Sequence, residues 1–493
     1  METAPLETTQ AWLKEPKMSY AGGEFIKGGA PLSLKNPANC RDLTKIYEAD
    51  DRTLALASLS AQNAMRGAWA QITRRERAQA LEAIGQLIRD HRSELAILET
   101  LANGKLYSES FNDDLPESAD VFDYYAGWVD KYYSETCPVE RGFLNYTVRE
   151  PIGVCALIVP WNFPLLLACW KMAPALAMGN TVIVKPAPNT SLTLIRLAEL
   201  IDTAKILPPG VFNLVLGGAE IGQKLCLDPR IQKVSFTGSS DVAKEVVKAS
   251  VSQNLKSLTL ELGGKSPNII FADAKDLDWT VRQSFRASFS HKGEKCSEPT
   301  RFFVEAPVYK QVCEHMASLA HAVVCGDPFA SLSTQGAQCN EAQFEKILRY
   351  IEIGKKESCR LLAGGERDRS PDCQDGYFIR PTLFADANNA MRVSQEEIFG
   401  PVVVLIPFHD DEEVLAMANQ NRYGLAAGLW TRDLSRALRF CQGLESGMVF
   451  VNHYGCYDFS SPFGGIKDSG WGKEMGVHAL AEYTKLKSVW FKI

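Results

Sequence analysis

At 493 residues the chain exceeds what one hydrophobic core usually accommodates, so two or three domains are expected. Its 46% hydrophobic and 23% charged content is ordinary for a soluble protein, and a net charge of −6 argues against an electrostatic nucleic-acid surface. The 13 cysteines include no Cys-x-x-Cys pair and no Cys/His cluster, which disfavours a disulfide framework or a metal site and fits a reducing, cytoplasmic location.

The opening residues are acidic and lack the apolar core of a secretory signal. Residues 1–50 read as loops and short strands. Residues 51–103 read as helical, with Leu81, Ile84, Leu87 and Ile88 at three-to-four spacing. The pattern continues over 115–131, where Phe122, Tyr124, Tyr125 and Trp128 are read as helix packing. Residues 132–150 turn strand-like and end at Pro151. From 152 to 262, strands at 153–159, 181–185, 211–215 and 233–237 alternate with helices at 191–204 and 241–250. That alternation implies a parallel, doubly wound α/β sheet. The most apolar stretch, 164–178, contains Lys171 and Pro174 and is too short to span a bilayer.

A second α/β unit follows, with a helix before Cys296, a helix near 341–355, and strands at 402–407 and 447–451. Residues 481–493 alternate again (Tyr483, Leu486, Val489, Phe491) as a terminal strand. This strand and 132–150 lie outside the two sheets and would leave open edges. Pairing with another subunit would cover them.

The chemistry centres on 258–300. A β-rich run ends at Glu261, breaks on Gly263-Gly264 and resumes; about thirty residues later a polar turn, Gly293-Glu-Lys-Cys296-Ser297, presents one thiol. A carboxylate and a thiol, each beside glycine, fit a nucleophile with a distant base. They equally fit a buried cysteine and a surface glutamate. A cysteine hydrolase would need a partnered histidine, and none of the seven His sits in such a motif. There is no Gly-x-Gly-x-x-Gly. Instead Phe236-Thr-Gly238-Ser239 leaves a strand and opens a helix, so backbone N–H groups meet a positive helix end at Gly238. Lys185 closes the second strand, where a lysine reaches a ribose hydroxyl or phosphate.

Glu261-Leu-Gly-Gly-Lys-Ser-Pro and Gly293-x-x-Cys296-Ser, in this order and near this separation, resemble the two signatures of the NAD(P)-dependent aldehyde dehydrogenase superfamily. Pro160-Trp161-Asn162-Phe163-Pro164, Phe236-Thr-Gly238-Ser239, Glu397-Ile-Phe399-Gly-Pro and Pro462-Phe-Gly464-Gly465 are similar to four more of its motifs. The resemblance runs from about residue 20 to the end. It implies an aldehyde-dehydrogenase-like α/β fold: a Rossmann-type dinucleotide-binding domain (1–131 and 151–262), an α/β catalytic domain (263–465) and an oligomerisation region (132–150 and 466–493). It also implies oxidation of an aldehyde to a carboxylate through a Cys296 thiohemiacetal and thioester, with NAD or NADP as cofactor and no metal. The implied catalytic residues are Cys296, Glu261 as base, Asn162 with the Cys296 backbone N–H as oxyanion donors, and Glu474 with Lys171 on a proton path. The implied cofactor contacts are Pro160, Trp161, Lys185, Pro188, Gly218, Gly222, Phe236, Gly238, Ser239, Leu262, Glu397 and Phe399.

Two positions depart from the family pattern. Ala243 stands where relatives have a second glycine. Pro188 stands where NAD-preferring relatives have a ribose-bridging glutamate, and this absence predicts readier use of NADP. The implied substrate pocket holds Leu166, Trp170, Lys295, Ser297, Tyr454 and Tyr457, which suits apolar or aromatic aldehydes or a trimethylammonium cage. Lys295 argues against a cation; it either depresses the Cys296 pKa or points into solvent. Relatives that use succinic semialdehyde carry arginine where Ser290 stands. A CoA-acylating enzyme and a betaine- or amino-aldehyde-specific member are the alternatives. The expected partner is a small aldehyde, with no nucleic acid or membrane, in a homodimer or homotetramer.

Overall fold

The computed structural model describes residues 3–493 and is built on two large sheets. In the first, the apolar runs Val154–Ile158, Thr181–Lys185, Phe212–Leu214 and Lys233–Thr237 pair in parallel, with Ser257–Glu261 as a fifth strand. The strand Val154–Ile158 lies centrally; the chain builds outward through 181–185 and 212–214, then returns to add 233–237 and 257–261 on its other side. That reversal is the switch point of a doubly wound sheet, where the carboxyl ends of adjacent strands open a crevice.

The period-two alternation sends neighbouring residues to different cores. Ala156, Ile183 and Val234 pack with Ala57, Ala61 and Val246 on one face. Leu157 and Val184 pack on the other face, with Leu81, Ile84 and Ile88 of Arg74–Asp90 and Phe122 of Leu115–Ala126. Each of the Val, Leu, Ile and Phe side chains among these contributes about 1.5–3 kcal/mol by its burial, the alanines less. The helix Arg74–Asp90 starts where Thr73 and Glu76 form a reciprocal capping box. Helix Pro164–Ala177 is buried at all 14 positions, as its continuous apolar text requires. Phe122 and Tyr125 are fully buried, while Tyr124 and Trp128 pack at the edge of the same core.

The second sheet has Ser266–Ile270 and Pro299–Glu305 at its centre, flanked by Val402–Phe408 and Thr382–Ala385 on one side and by Ala426–Trp430 and Met448–Val451 on the other. All these pairings are parallel; the edge strand Arg360–Ala363 is antiparallel. Because Glu261 ends the last parallel strand of the first sheet and Ser266 opens the second, residues 262–265 cross between them. Among the described residues no helix is long and apolar enough to cross a membrane.

Two expectations are corrected. The N-terminal segment contains the helix Thr3–Leu13, where loops and strands were expected; its Trp12 Nε1 donates to Glu199 Oε2 at 2.7 Å, a contact 187 residues away. The terminal strand Thr484–Lys492 pairs with Phe143–Pro151 of its own chain, in register from Thr484 opposite Pro151 to Lys492 opposite Phe143, with no second subunit needed. The turn of helix at His478–Glu482 delivers it there, and Asn145 Nδ2 locks the register by donating to Ser488 Oγ at 2.8 Å. Among the described residues no strand pairs with its other edge in the three-stranded sheet.

Candidate active site

Cys296 sits on the loop between helix Leu277–Phe289 and strand Pro299–Glu305. The turn before it holds two non-glycine residues in left-handed backbone, His291 at φ +52° and Lys292 at φ +62°. Such conformations persist only when surroundings hold them, and here they do. The His291 N–H donates to Glu109 Oε1 at 2.7 Å. Lys292 Nζ is buried, donating to Asn103 Oδ1 at 2.7 Å and pairing with Glu294 at 2.8 Å. Burial pushes the Cys296 thiol up to about 12, reinforced by the carboxylates of Glu261 and Glu397.

The glycine pair after Glu261 has two distinct reasons. A Cβ on Gly263 would collide with the Glu397 carboxylate, and one on Gly264 would lie 2.6 Å from the Cys296 carbonyl oxygen. Gly264 also donates its N–H to Glu397 Oε1 at 3.0 Å. The two signature stretches are therefore in backbone contact. Asn162, buried at the start of the helix Pro164–Ala177, donates from Nδ2 to the Glu294 carbonyl at 2.9 Å. An amide carries two N–H bonds, and the second remains for another acceptor.

Glu261 is buried with neither carboxylate oxygen hydrogen-bonded. A Cβ at Gly464 would lie 2.5 Å from its Oε1, so that glycine makes the slot in which the carboxylate rests. Burial foremost, then the nearby Glu474, holds its pKa well above the usual carboxylate range. Lys171, fully buried, forms an ion pair with Glu474 and donates to Ser235 Oγ at 3.2 Å. An unpartnered buried carboxylate beside a buried ion pair is costly, which makes Glu261 a candidate for function.

The carboxyl edge of the first sheet gathers most of the expected cofactor set. Lys185 ends its strand buried, and Gly218 precedes helix Ala219–Leu227. Ser239 caps Ser240–Ser250, its Oγ accepting the Val242 N–H at 3.3 Å. The Phe236 ring folds over Gly238, where a Cβ would lie 2.5 Å from it. Thr237 Oγ1 is buried without a hydrogen-bond partner. Two helix N-termini, a lysine and an orphaned hydroxyl on one edge fit an anionic dinucleotide. Trp161 and Phe399 meet edge-on with centroids 5.3 Å apart, the latter held at φ +62°. Pro160 is half-buried beyond the strand end, Leu262 donates its N–H to the Ser469 carbonyl at 2.9 Å, and Gly222 packs on the Lys185 chain. Pro188 begins the short turn Pro188–Thr190.

A cavity of about 680 Å³ opens on Cys296. Leu166, Trp170, Lys295, Ser297, Tyr454 and Tyr457 all line it. Tyr454 Oη donates to the Ser297 carbonyl at 2.8 Å, and Tyr457 Oη shares a hydrogen bond with Ser297 Oγ. Lys295 departs from both readings of it: Nζ donates to Ser290 Oγ at 2.6 Å and to the Ala287 carbonyl, capping the end of helix Leu277–Phe289. A cation at a helix C-terminus is satisfied there, so it is directed neither at the thiol nor at solvent.

Sequence reasoning missed Asn103, Phe163, Leu167, Phe463 and the carboxylates Asp113 and Glu117. Asn103 Nδ2 holds the Trp161 carbonyl at 2.7 Å; the others line the cavity. The acids fall in or just after the π-helical turn Ser110–Asp114, which has no periodic signal, although such turns mark functional places.

Residues 26–489 match the family model described as the aldehyde dehydrogenase family. The chain is 43% identical over 463 residues to the mitochondrial aldehyde dehydrogenase of Homo sapiens, covering 93% of this chain and 88% of that protein. It superposes with a TM-score of 0.96 on an NAD+ complex of an aldehyde dehydrogenase from Bacillus cereus, at 40% identity over 99% of this chain and 98% of that one. The same score relates it to the P. syringae indole-3-acetaldehyde dehydrogenase in complex with NAD+ and IAA, at 36% identity with both chains fully covered.

Proposed function

The chain belongs to the aldehyde dehydrogenase family, and from that premise we propose that it oxidises apolar, chiefly aromatic, aldehydes to carboxylates, with NAD or NADP as cofactor. The observation that carries this reading is the aromatic wall, Phe163, Trp170, Tyr454, Tyr457 and Phe463, of the cavity that opens on Cys296. In this reading the first sheet carries the cofactor and the second carries the nucleophile.

The Cys296 thiol gives its proton to solvent, and the minor thiolate fraction attacks the aldehyde carbon. The alkoxide that forms is met by the free N–H of Asn162 and the backbone N–H of Cys296, an arrangement worth about 3–4 kcal/mol per lost donor. Lys185, Glu397 and the two helix ends would hold the dinucleotide. When bound, the dinucleotide would supply the hydride acceptor for the tetrahedral carbon on Cys296, whose oxidation leaves an acyl thioester on Sγ. Glu261 then takes a proton from water as the water attacks the thioester. Collapse frees the carboxylate and restores the thiolate. The Lys171–Glu474 pair stands beside Glu261 to carry the proton onward. The presence of Glu261 favours hydrolysis over transfer to CoA.

A specific-activity panel tests the substrate class. Aryl and arylalkyl aldehydes are expected to exceed 4-aminobutanal and succinic semialdehyde in kcat/KM by roughly tenfold or more. Asp113 and Glu117 on the cavity wall favour cationic aldehydes, and the engagement of Lys295 elsewhere removes the objection to them. An amino aldehyde at the top of the panel would therefore replace the aromatic reading.

The unpaired edge of Thr484–Lys492 carries Trp490 and Phe491, both about half exposed, and we assign it to a subunit interface. Removing residues 484–493 is expected to give monomers or insoluble protein by light scattering. An oligomer of unchanged size after that deletion would refute the assignment.

A further inference from the structure

The carboxylate missing at Pro188 has a counterpart far away in the chain. Glu48 directly follows the strand Asp42–Tyr47. The next residue, Ala49, donates its N–H to the Leu216 carbonyl at 2.7 Å, which lays this segment beside the carboxyl end of Phe212–Leu214. Glu48 Oε1 accepts the Gly218 N–H at 2.8 Å, at the start of the helix Ala219–Leu227. One turn further on, a Cβ at Gly222 would sit 3.6 Å from the Lys185 side chain. Lys185 is 6% exposed, and Nζ donates one hydrogen bond, to the Pro186 carbonyl at 3.1 Å. Burial lowers the Lys185 pKa to about 8, and the charge that opposes this is Glu48. Glu48 and Lys185 thus flank the first turn of one helix, at Gly218 and Gly222, on the carboxyl edge of the sheet.

We propose that Glu48 is the specificity-determining carboxylate of the adenosine-ribose subsite, repelling a 2′-phosphate and supplying the NAD preference that Pro188 does not. This rests on reading the edge around Lys185 and Gly218 as the dinucleotide site. Without a carboxylate there, Lys185 and the helix N-terminus would both attract a phosphate. With Glu48 present, their positive field is offset, and a dianionic group pays a Coulomb penalty that a ribose hydroxyl does not. On this proposal NAD is preferred, opposite to the expectation drawn from Pro188 alone.

The test is direct binding of NAD and of NADP, without aldehyde, by quenching of tryptophan fluorescence in wild type, Glu48→Gln and Lys185→Ala. Glutamine keeps an oxygen to accept the Gly218 N–H, so the helix cap survives and only the charge is lost. Glu48→Gln is expected to tighten NADP relative to NAD on the order of tenfold, with an unchanged melting temperature. Raising salt should narrow the wild-type preference. If Glu48→Gln leaves the ratio of the two dissociation constants unchanged while Lys185→Ala weakens both dinucleotides, the site reading stands and the role of Glu48 is refuted. If Glu48→Gln weakens both equally and lowers the melting temperature, Glu48 is a helix cap and the proposal also falls. If Lys185→Ala alters neither affinity, the reading of this edge as the ribose subsite fails, and the proposal fails with it.

Discussion

Cys296→Ser is expected to lower aldehyde oxidation by about ten-thousandfold or more while leaving dinucleotide affinity close to wild type. The thiol is the only proposed bond-forming atom, whereas the proposed dinucleotide site lies on the first sheet. A hydroxyl at this place has no base in hydrogen-bond contact to activate it, since the Glu261 carboxylate makes no hydrogen bond. The same chemistry has a pH signature. With the thiol pushed up to about 12, the thiolate is a minor species at neutral pH, and its fraction grows roughly tenfold per pH unit below that value. Carbamidomethylation of the Cys296 peptide in the cofactor-free protein should follow that slope between pH 7 and 9. The exposed Cys441 and Cys456 serve as internal references on the same digest. A rate at Cys296 that levels off near pH 7 would show a thiol already activated in the free protein. Substantial steady-state turnover by the serine variant would remove Cys296 from the mechanism altogether.

Glu261→Gln is expected to separate the two halves of the reaction. Hydride release precedes any need for the base, so reduced cofactor should appear in a single burst of about one equivalent per site. The following steady state should be slowed by roughly a hundredfold to ten-thousandfold. Glutamine fits the slot made by Gly464, and replacing a buried carboxylate that has no hydrogen-bond partner removes a desolvation cost. A melting temperature close to wild type would exclude misfolding as the cause. The competing role is deprotonation of Cys296. In that case the burst itself slows, and a stopped-flow trace distinguishes the two. Loss of the burst with normal cofactor binding would reject the deacylation role.

Local periodicity made the sheets legible. The apolar runs over 154–158, 181–185 and 233–237 belong to strands buried on both faces, and the helical spacing of Leu81, Ile84 and Ile88 belongs to a helix with one buried face. Glycine pairs marked the close approaches, because only glycine lets Gly264 lie against the Cys296 carbonyl and Gly464 against Glu261. The cavity residues Trp170, Tyr454 and Tyr457 were likewise readable from the motifs beside them.

What the sequence left undetermined depended on partners distant along the chain. Nothing in the alternation of 481–493 says which strand it joins, since a strand edge accepts any register-compatible neighbour; Pro151 and the turn His478–Glu482 made that neighbour Phe143–Pro151. Lys295 stands beside the thiol in sequence, yet its four-carbon stem carries the ammonium to the end of helix Leu277–Phe289. Glu48 lies 170 residues before Gly218 and carries no motif; folding alone brings its carboxylate to the crevice. The sequence by itself determined most of the elements, the family and the candidate pair Cys296 and Glu261, because these rest on short-range pattern and residue chemistry. Only the tertiary structure decided where strand edges close and where long charged side chains end, because those outcomes depend on electrostatics and hydrogen bonds between segments that share no local pattern.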